Sequence, residues 1–219
     1  EVQQNIHQLA VKHAHLQTQR DLWHPAQALL WPWQTQRLRQ TQVKTSAPAP
    51  NSENLSQWRL HCAELLRSPS PFSNTLQLTQ RISLALQACG MQRICLIMLD
   101  KQAQHAQVSL LQGIKADALP QSFTLTANPI IEHLLKQPTH LVLSNANTAR
   151  IKPHLPIELT RIFHNTEWII ASVSNSHRVV MLIAADQSAT ELHPVAIQGF
   201  KKTLECIERA LLLFSAPKH

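Results

Sequence analysis

The chain has 219 residues, 44% of them hydrophobic and 15% charged, with a formal net charge of +7. That is enough apolar chain for one well-buried domain plus a smaller piece, and it excludes disorder across the main body. No run approaches the roughly 18 uninterrupted apolar residues of a membrane span, and no signal-peptide layout opens the sequence, so a cytoplasmic protein with no membrane partner is expected.

The first residue is Glu, and the sequence is expected to be part of a longer polypeptide. Residues 1–44 begin with Ile6, Leu9, Val11 and Leu16 at loosely helical spacing, and Pro25 and Pro32 break any long helix after them. This helical segment is too short for its own core, and is expected to be the tail of an upstream domain or a brace docked on the next one. Residues 45–54, "TSAPAPNSEN", replace periodic apolar positions with proline, alanine and small polar residues and read as a linker. Limited proteolysis is expected to cut there first.

Beyond the linker the pattern is regular. Leu55, Trp58, Cys62 and Leu65 predict one amphipathic helix, Leu78, Ile82, Ala85 and Cys89 a second, and Gly90 stops it. "ICLIMLD", residues 94–100, is a continuous apolar strand, whereas "AQVSLLQG" and "SFTLTA" alternate, with Val108 and Leu110, then Phe123 and Leu125, on one side. Asn128 as N-cap and Pro129 at the first position start a helix that turns Ile130, Ile131, Leu134 and Leu135 inward and ends before Pro138. "HLVLS" predicts a short strand, "NANTARIKPH" a long polar connection, and "LPIELTRIF" a helix with Leu155, Leu159 and Ile162 on one stripe.

The apolar runs 168–173 and 178–185, joined by Ser174-Asn175-Ser176-His177, predict a β-hairpin. Neither arm alternates, so both are expected at the centre of a sheet covered on both faces. Asp186 reads as a chain-exit residue capping the next turn. In the last helix Ile197, Phe200, Leu204, Ile207, Leu211 and Phe214 follow a near-heptad seam, which Cys206, Ala210 and Leu213 widen. One flank is expected on the sheet and the other against a second helix or subunit. The fold class is therefore α+β: an antiparallel sheet with the terminal helices on one face and the internal helices and connections on the other.

The sequence has no GxGxxG, P-loop, GxSxG or HExxH pattern. "HCAE", residues 61–64, lacks deaminase spacing, and His13 and His15 would point to different helix faces. No catalytic residue, metal site or cofactor is assigned, and no enzyme is expected. Cys62, Cys89, Cys95 and Cys206 lie within apolar patterns and read as free thiols.

"RICLIMLD", "NPIIEHLLKQPTHLVLSNANTARIKPHLP", "EWIIASVSNSHRVVMLIAADQ" and "GFKKTLECIERAL" together resemble a GAF domain, a small-molecule-sensing relative of the PAS fold. The chain is most similar to the GAF-like module that follows the HDOD domain in bacterial signalling proteins. The likeness covers residues 54–216 and sets a GAF-like domain at 55–216. It departs at the hairpin turn, where Ser176, His177 and Val180 stand in place of the usual glycines. The signature of cyclic-nucleotide-binding members is absent, with only Phe163 and Glu167 suggestively spaced, and no cysteine has the context of a bilin attachment site.

The resemblance implies a non-catalytic signal-transduction module that binds a small molecule or mediates protein–protein regulation, with an HDOD-like upstream domain. A pocket is expected between the sheet and residues 144–154, with Asn145, Asn147, Arg150 and Lys152 as polar contacts and Trp168 as a wall. A homodimer is expected through the terminal helices, with Leu213 and Ala210 as contacts and Leu204 in the core. The alternative is a regulatory module that binds nucleic acid through its basic surface and Trp23, Trp31 and Trp33. Singly scattered basic residues, and tryptophans set among leucines as docking hydrophobes, argue against it.

Overall fold

Six antiparallel strands in the order β3-β2-β1-β6-β5-β4 form the middle layer of the described domain. The computed structural model describes residues 52–125, 129–164, 166–175, 178–188 and 191–215, within the unit Thr45–His219, one of two into which the chain divides. The elements are α1 (Ser52–Leu65), α2 (Thr75–Ala88), β1 (Arg93–Leu99), β2 (His105–Gln112), β3 (Ser122–Thr124), α3 (Pro129–Lys136), β4 (His140–Leu143), α4 (Thr148–Ile151), α5 (Ile157–Ile162), β5 (Trp168–Ser174), β6 (Val179–Asp186) and α6 (Pro194–Ser215). Short 3₁₀ turns cover Ala116–Ala118 and Lys152–His154. The segment 1–44 with its tryptophans, most of the expected linker, the Asn128 cap and the Ser176-His177 turn lie outside the described residues. Helix α1 starts at Ser52, inside the range expected as linker.

The ends of α2 are built locally. The Asn74 side chain accepts the Gln77 N–H at 2.9 Å, and the Gln77 side chain returns to accept the Ser73 N–H at 2.8 Å. At the other end Met91 N–H donates to Leu86 O and Gly90 N–H to Gln87 O, with Gly90 at φ 103. That is a Schellman stop, and glycine is there because the left-handed conformation carries no Cβ penalty.

The absence of alternation in the hairpin arms has the expected cause. Every residue of β6, and all of β5 but its last, is buried, because β1, β6 and β5 are interior strands with a helical layer on each side. One layer is α1, α2 and α6, packed through Ile82, Leu86, Phe200 and Ile207 on Leu96, Ile169 and Ile183. The other is α3 to α5, packed through Ile131, Leu134, Leu159 and Phe163 on Ile97, Ile170 and Leu182. Terminal helices on one face and internal elements on the other is the arrangement expected from sequence.

Three details differ. In β2 the register passes from Leu96↔Leu110 to Ile97↔Val108, so Ser109 is an extra residue. This bulge turns Leu110 to the terminal-helix face while Val108 stays with the internal one; the two do not share a side. The polar connection contains helix α4, held by Thr148 Oγ1 donating to Ser144 O at 2.6 Å and anchored by buried Ile151. In α6 the fully buried positions are Ala196, Phe200, Thr203, Ile207 and Ala210, while Leu204 is half-buried at the margin. The seam passes through Thr203, whose hydroxyl donates to Gly199 O at 2.7 Å and accepts Trp58 Nε1–H at 2.8 Å. A satisfied hydroxyl can occupy a core position that an apolar pattern assigns to its neighbour. Ala210, expected at a dimer contact, is 1% exposed inside this core and cannot be presented to a second copy; Leu213 is half-buried.

Candidate functional site

An open cleft of about 610 Å³ lies on the internal-helix face. Its walls are α3 with Pro129, Ile130, His133 and Leu134, the start of β4 with Thr139 to Leu141, and the α4 region with Arg150, Ile151 and His154. Two local causes make it. Proline fixes the first turn of α3, and the apolar stripe of that helix is wide: Ile131 and Leu134 are fully buried, whereas Ile130 remains only partly covered. Strand β4 pairs with β5 through Leu141↔Ile170 and Leu143↔Trp168, which places Leu141 and Leu143 on the cleft side and Val142 on the face of α6, while His140, the first residue of this edge strand, borders the cleft. Partial burial of the His140 ring, and then the Lys201 ammonium, hold its pKa below the ordinary value. Three side chains that can carry positive charge or donate hydrogen bonds, His133, Arg150 and His154, are exposed around an apolar floor of Ile130, Leu134, Leu141 and Ile151. Such a surface accommodates a flat or branched apolar body with a polar or anionic edge.

Of the residues expected to make a pocket, Arg150 alone lines this cleft. Asn147 is committed to its own turn: its Oδ1 accepts Ser144 N–H at 2.9 Å and its Nδ2 donates to Val142 O at 2.9 Å. Asn145 is exposed, and its backbone N–H donates to Glu167 Oε1 at 3.3 Å. Glu167 Oε2 also accepts Leu192 N–H at 3.0 Å, so this carboxylate ties two loops together. Lys152 is exposed beyond the cleft. Trp168 is 2% exposed and stacks on Phe163 with ring centroids 5.0 Å apart, so it is an interior residue and not a wall. The residues missed from sequence, Ile130, His133, Leu141 and His154, had one legible sign: an α3 stripe wider than a single packing contact consumes.

Beneath the cleft layer sits a buried ion pair. Asp186, 0% exposed, faces Arg93 across the β1–β6 ladder. Arg93 Nε donates to Asp186 Oδ1 at 3.0 Å and Oδ2 at 3.1 Å, and its Nη2 donates to Oδ2 as well. Nη1 donates to Ile162 O at 3.0 Å, Thr166 Oγ1 donates to Asp186 Oδ2 at 2.5 Å, and the guanidinium lies over the Phe163 ring at 5.3 Å. Asp186 Oδ1 also accepts Ser188 N–H at 3.0 Å, which is the chain-exit cap read from sequence. The pair holds the end of α5 on the sheet, and all the carboxylate's strong hydrogen bonds go to the protein itself.

No protein-family model and no curated protein matches the sequence. Among solved structures the chain is similar to the GAF domain/HD domain protein from Geobacter sulfurreducens, at 13% identity and a TM-score of 0.52 over 68% of this chain and 97% of that one. It is similar to the phycoerythrobilin-bound GAF domain from a cyanobacterial phytochrome, at 13% identity and a TM-score of 0.51 over 73% and 95%. It is also similar to free methionine-R-sulfoxide reductase from Neisseria meningitidis in complex with its substrate, at 9% identity and a TM-score of 0.52 over 78% and 96%. At these identities the likeness concerns the fold, and with the strand order and the two helical layers it establishes that residues 52–215 adopt a GAF-like α+β fold.

Proposed function

We propose that this domain is a non-catalytic sensory module whose cleft between α3, β4 and α4 takes a small molecule, and that it regulates a neighbouring domain of the same polypeptide. The observation that carries the reading is the half-covered apolar floor with His133, Arg150 and His154 around it. A recess of this size with apolar walls and a few convergent polar groups is the ordinary form of a ligand site. The non-catalytic part rests on the site's chemistry: the cleft lining has histidines and an arginine but no carboxylate or thiol to pair with them as acid or nucleophile, and the buried carboxylate of Asp186 is consumed by Arg93, Thr166 and Ser188. The neighbouring domain is HDOD-like in this reading, after the resemblance of residues 54–216. Two of the similar solved structures are named as GAF domains or GAF-containing proteins of HD and phytochrome type, which supports a signalling role.

Native mass spectrometry of the purified chain tests it. A co-purifying small molecule is expected on the wild type and absent from Ile130→Trp, which fills the floor from a partly covered position. Cyclic nucleotides at micromolar concentration are expected to produce no heat in calorimetry, since their signature residues are absent. A retained molecule that survives Ile130→Trp places binding elsewhere. Turnover of a substrate by the purified domain overturns the non-catalytic reading.

A further inference from the structure

The four cysteines occupy distinct environments. Cys95 is fully buried on β1, on the internal-helix side. Cys89 ends α2, and its Sγ donates to Leu86 O at 3.1 Å. Cys62 on α1 is buried at the edge of the terminal-helix core, while Cys206 on α6 is half-buried. The last two are brought together by helix geometry. The 2.8 Å hydrogen bond from Trp58 to Thr203 fixes α1 against α6, and one turn further along each helix stand Cys62 and Cys206. Both belong to the same terminal-helix core, and each thiol is the main influence on the other's protonation.

The charges around the pair make its members unequal. The neighbouring Cys62 thiol, with burial and Glu205 opposing it and Arg209 and Lys202 helping, pulls Cys206 below the ordinary thiol range. Cys206 in turn, with burial and the neighbouring Cys89, pushes Cys62 up, against Thr203. Exposure points the same way: Cys206 is half-buried and Cys62 buried, so a dissolved oxidant reaches the Cys206 sulfur first and Cys62 stands behind it as the second thiol.

We propose that Cys62 and Cys206 are a peroxide-reactive dithiol, a modification site that closes to a disulfide between the first and last helices of the domain. The Cys206 thiolate attacks hydrogen peroxide; an S–O bond forms, the O–O bond breaks, and the leaving hydroxide takes a proton to become water. Cys62 sulfur then attacks Cys206 sulfur; the S–S bond forms, the S–O bond breaks, and the departing hydroxide leaves as a second water with the Cys62 proton. Two thiols are oxidised by two electrons and one peroxide is reduced to two waters. The bond ties α1 to α6 and is independent of the cleft, which lies on the opposite face of the sheet.

The test uses the full 219-residue chain, treated with hydrogen peroxide, blocked with N-ethylmaleimide and read by intact mass and peptide mapping. Two of the four thiols are expected to be lost, with a mass lower by two hydrogens before blocking and two fewer maleimides added on blocking the unfolded chain, a Cys62–Cys206 peptide, a raised thermal midpoint, and complete reversal by dithiothreitol. Cys206→Ser is expected to abolish the thiol loss, Cys62→Ser to convert it into oxygen addition at Cys206, and Cys89→Ala to leave the cross-link in place. The peptide map on wild type decides the matter even where a variant folds poorly. Wild type that gains oxygen at Cys206 without a cross-link, pairs Cys206 with Cys89, or links only between chains overturns the proposal.

Discussion

At the scale of single residues, the stability of this sheet depends on polar groups that look incidental in sequence. Arg93 and Asp186 are an example: removing Arg93 leaves a buried carboxylate with Thr166 and Ser188 as its remaining partners. Arg93→Ala is expected to lower the urea unfolding free energy by about 3–5 kcal/mol, the usual result of breaking one side of a buried pair. Arg93→Lys is expected to recover only part of it, because a single ammonium cannot reach both carboxylate oxygens and Ile162 O together. Thr203 is a second case. Thr203→Val removes the acceptor for Trp58 Nε1–H and is expected to cost about 1–3 kcal/mol as an unsatisfied donor, with a change in Trp58 fluorescence in the native baseline. Leu204→Asp is expected to be milder than Ile207→Asp in the same assay, since the carboxylate at half-buried 204 can turn to water and the one at fully buried 207 cannot. The seam spacing assigns Leu204 to the core, and in the fold it stands one residue off the buried line.

Between elements, two glycines mark close approaches. In α6 a Cβ on Gly199 would lie 2.8 Å from Cys89 Cβ. Alanine would favour the helix by about 1 kcal/mol, but α2 and α6 would have to part, and overpacking of this kind costs about 1–3 kcal/mol. Gly199→Ala is therefore expected to lower the thermal midpoint against helix propensity. Gly113, at φ +67, would put a Cβ 2.3 Å from Gln92 O. Gly113→Ala combines the left-handed penalty of roughly 1–2 kcal/mol with a backbone clash, and the expected outcome is loss of the β1–β2 end pairing, read by amide exchange at Ile94 and Gln112, which are ladder partners. The bulge at Ser109 belongs to this scale as well, since an extra residue on one strand acquires meaning only against its partner.

Across the domain, a dimer through the terminal helices, as expected from sequence, would use the face of the sheet opposite the proposed ligand cleft. Among the described residues of α6, Leu212 is 43% exposed and Leu213 half-buried. If the terminal helices pair two chains, Leu213→Glu should leave the fold intact and shift sedimentation from dimer to monomer; a wild type that is monomeric at high micromolar concentration removes the dimer from the reading. Ala210 takes no part in such a contact, being enclosed by its own chain.

Local pattern along the chain was enough to identify most of the elements and the burial of the interior strands. Predominantly apolar, non-alternating runs at 94–99, 168–173 and 179–185 identified the three interior strands, the Gly90 stop identified the end of α2, and the long final stripe identified a core helix. Each of these depends on a local period or on one residue's backbone freedom. The likeness of those motifs in their order to a GAF domain carried the fold further than the periods could. Which elements meet became visible only in the packed chain: β6 between β1 and β5, Arg93 against Asp186, Ser109 as the extra residue, Thr203 in place of Leu204 on the buried line, and Cys62 beside Cys206. The cleft is of the same kind. It depends on how far α3 and α4 stand from β4, a gap between surfaces, and periodicity records which side of an element is apolar without recording the distance to what covers it.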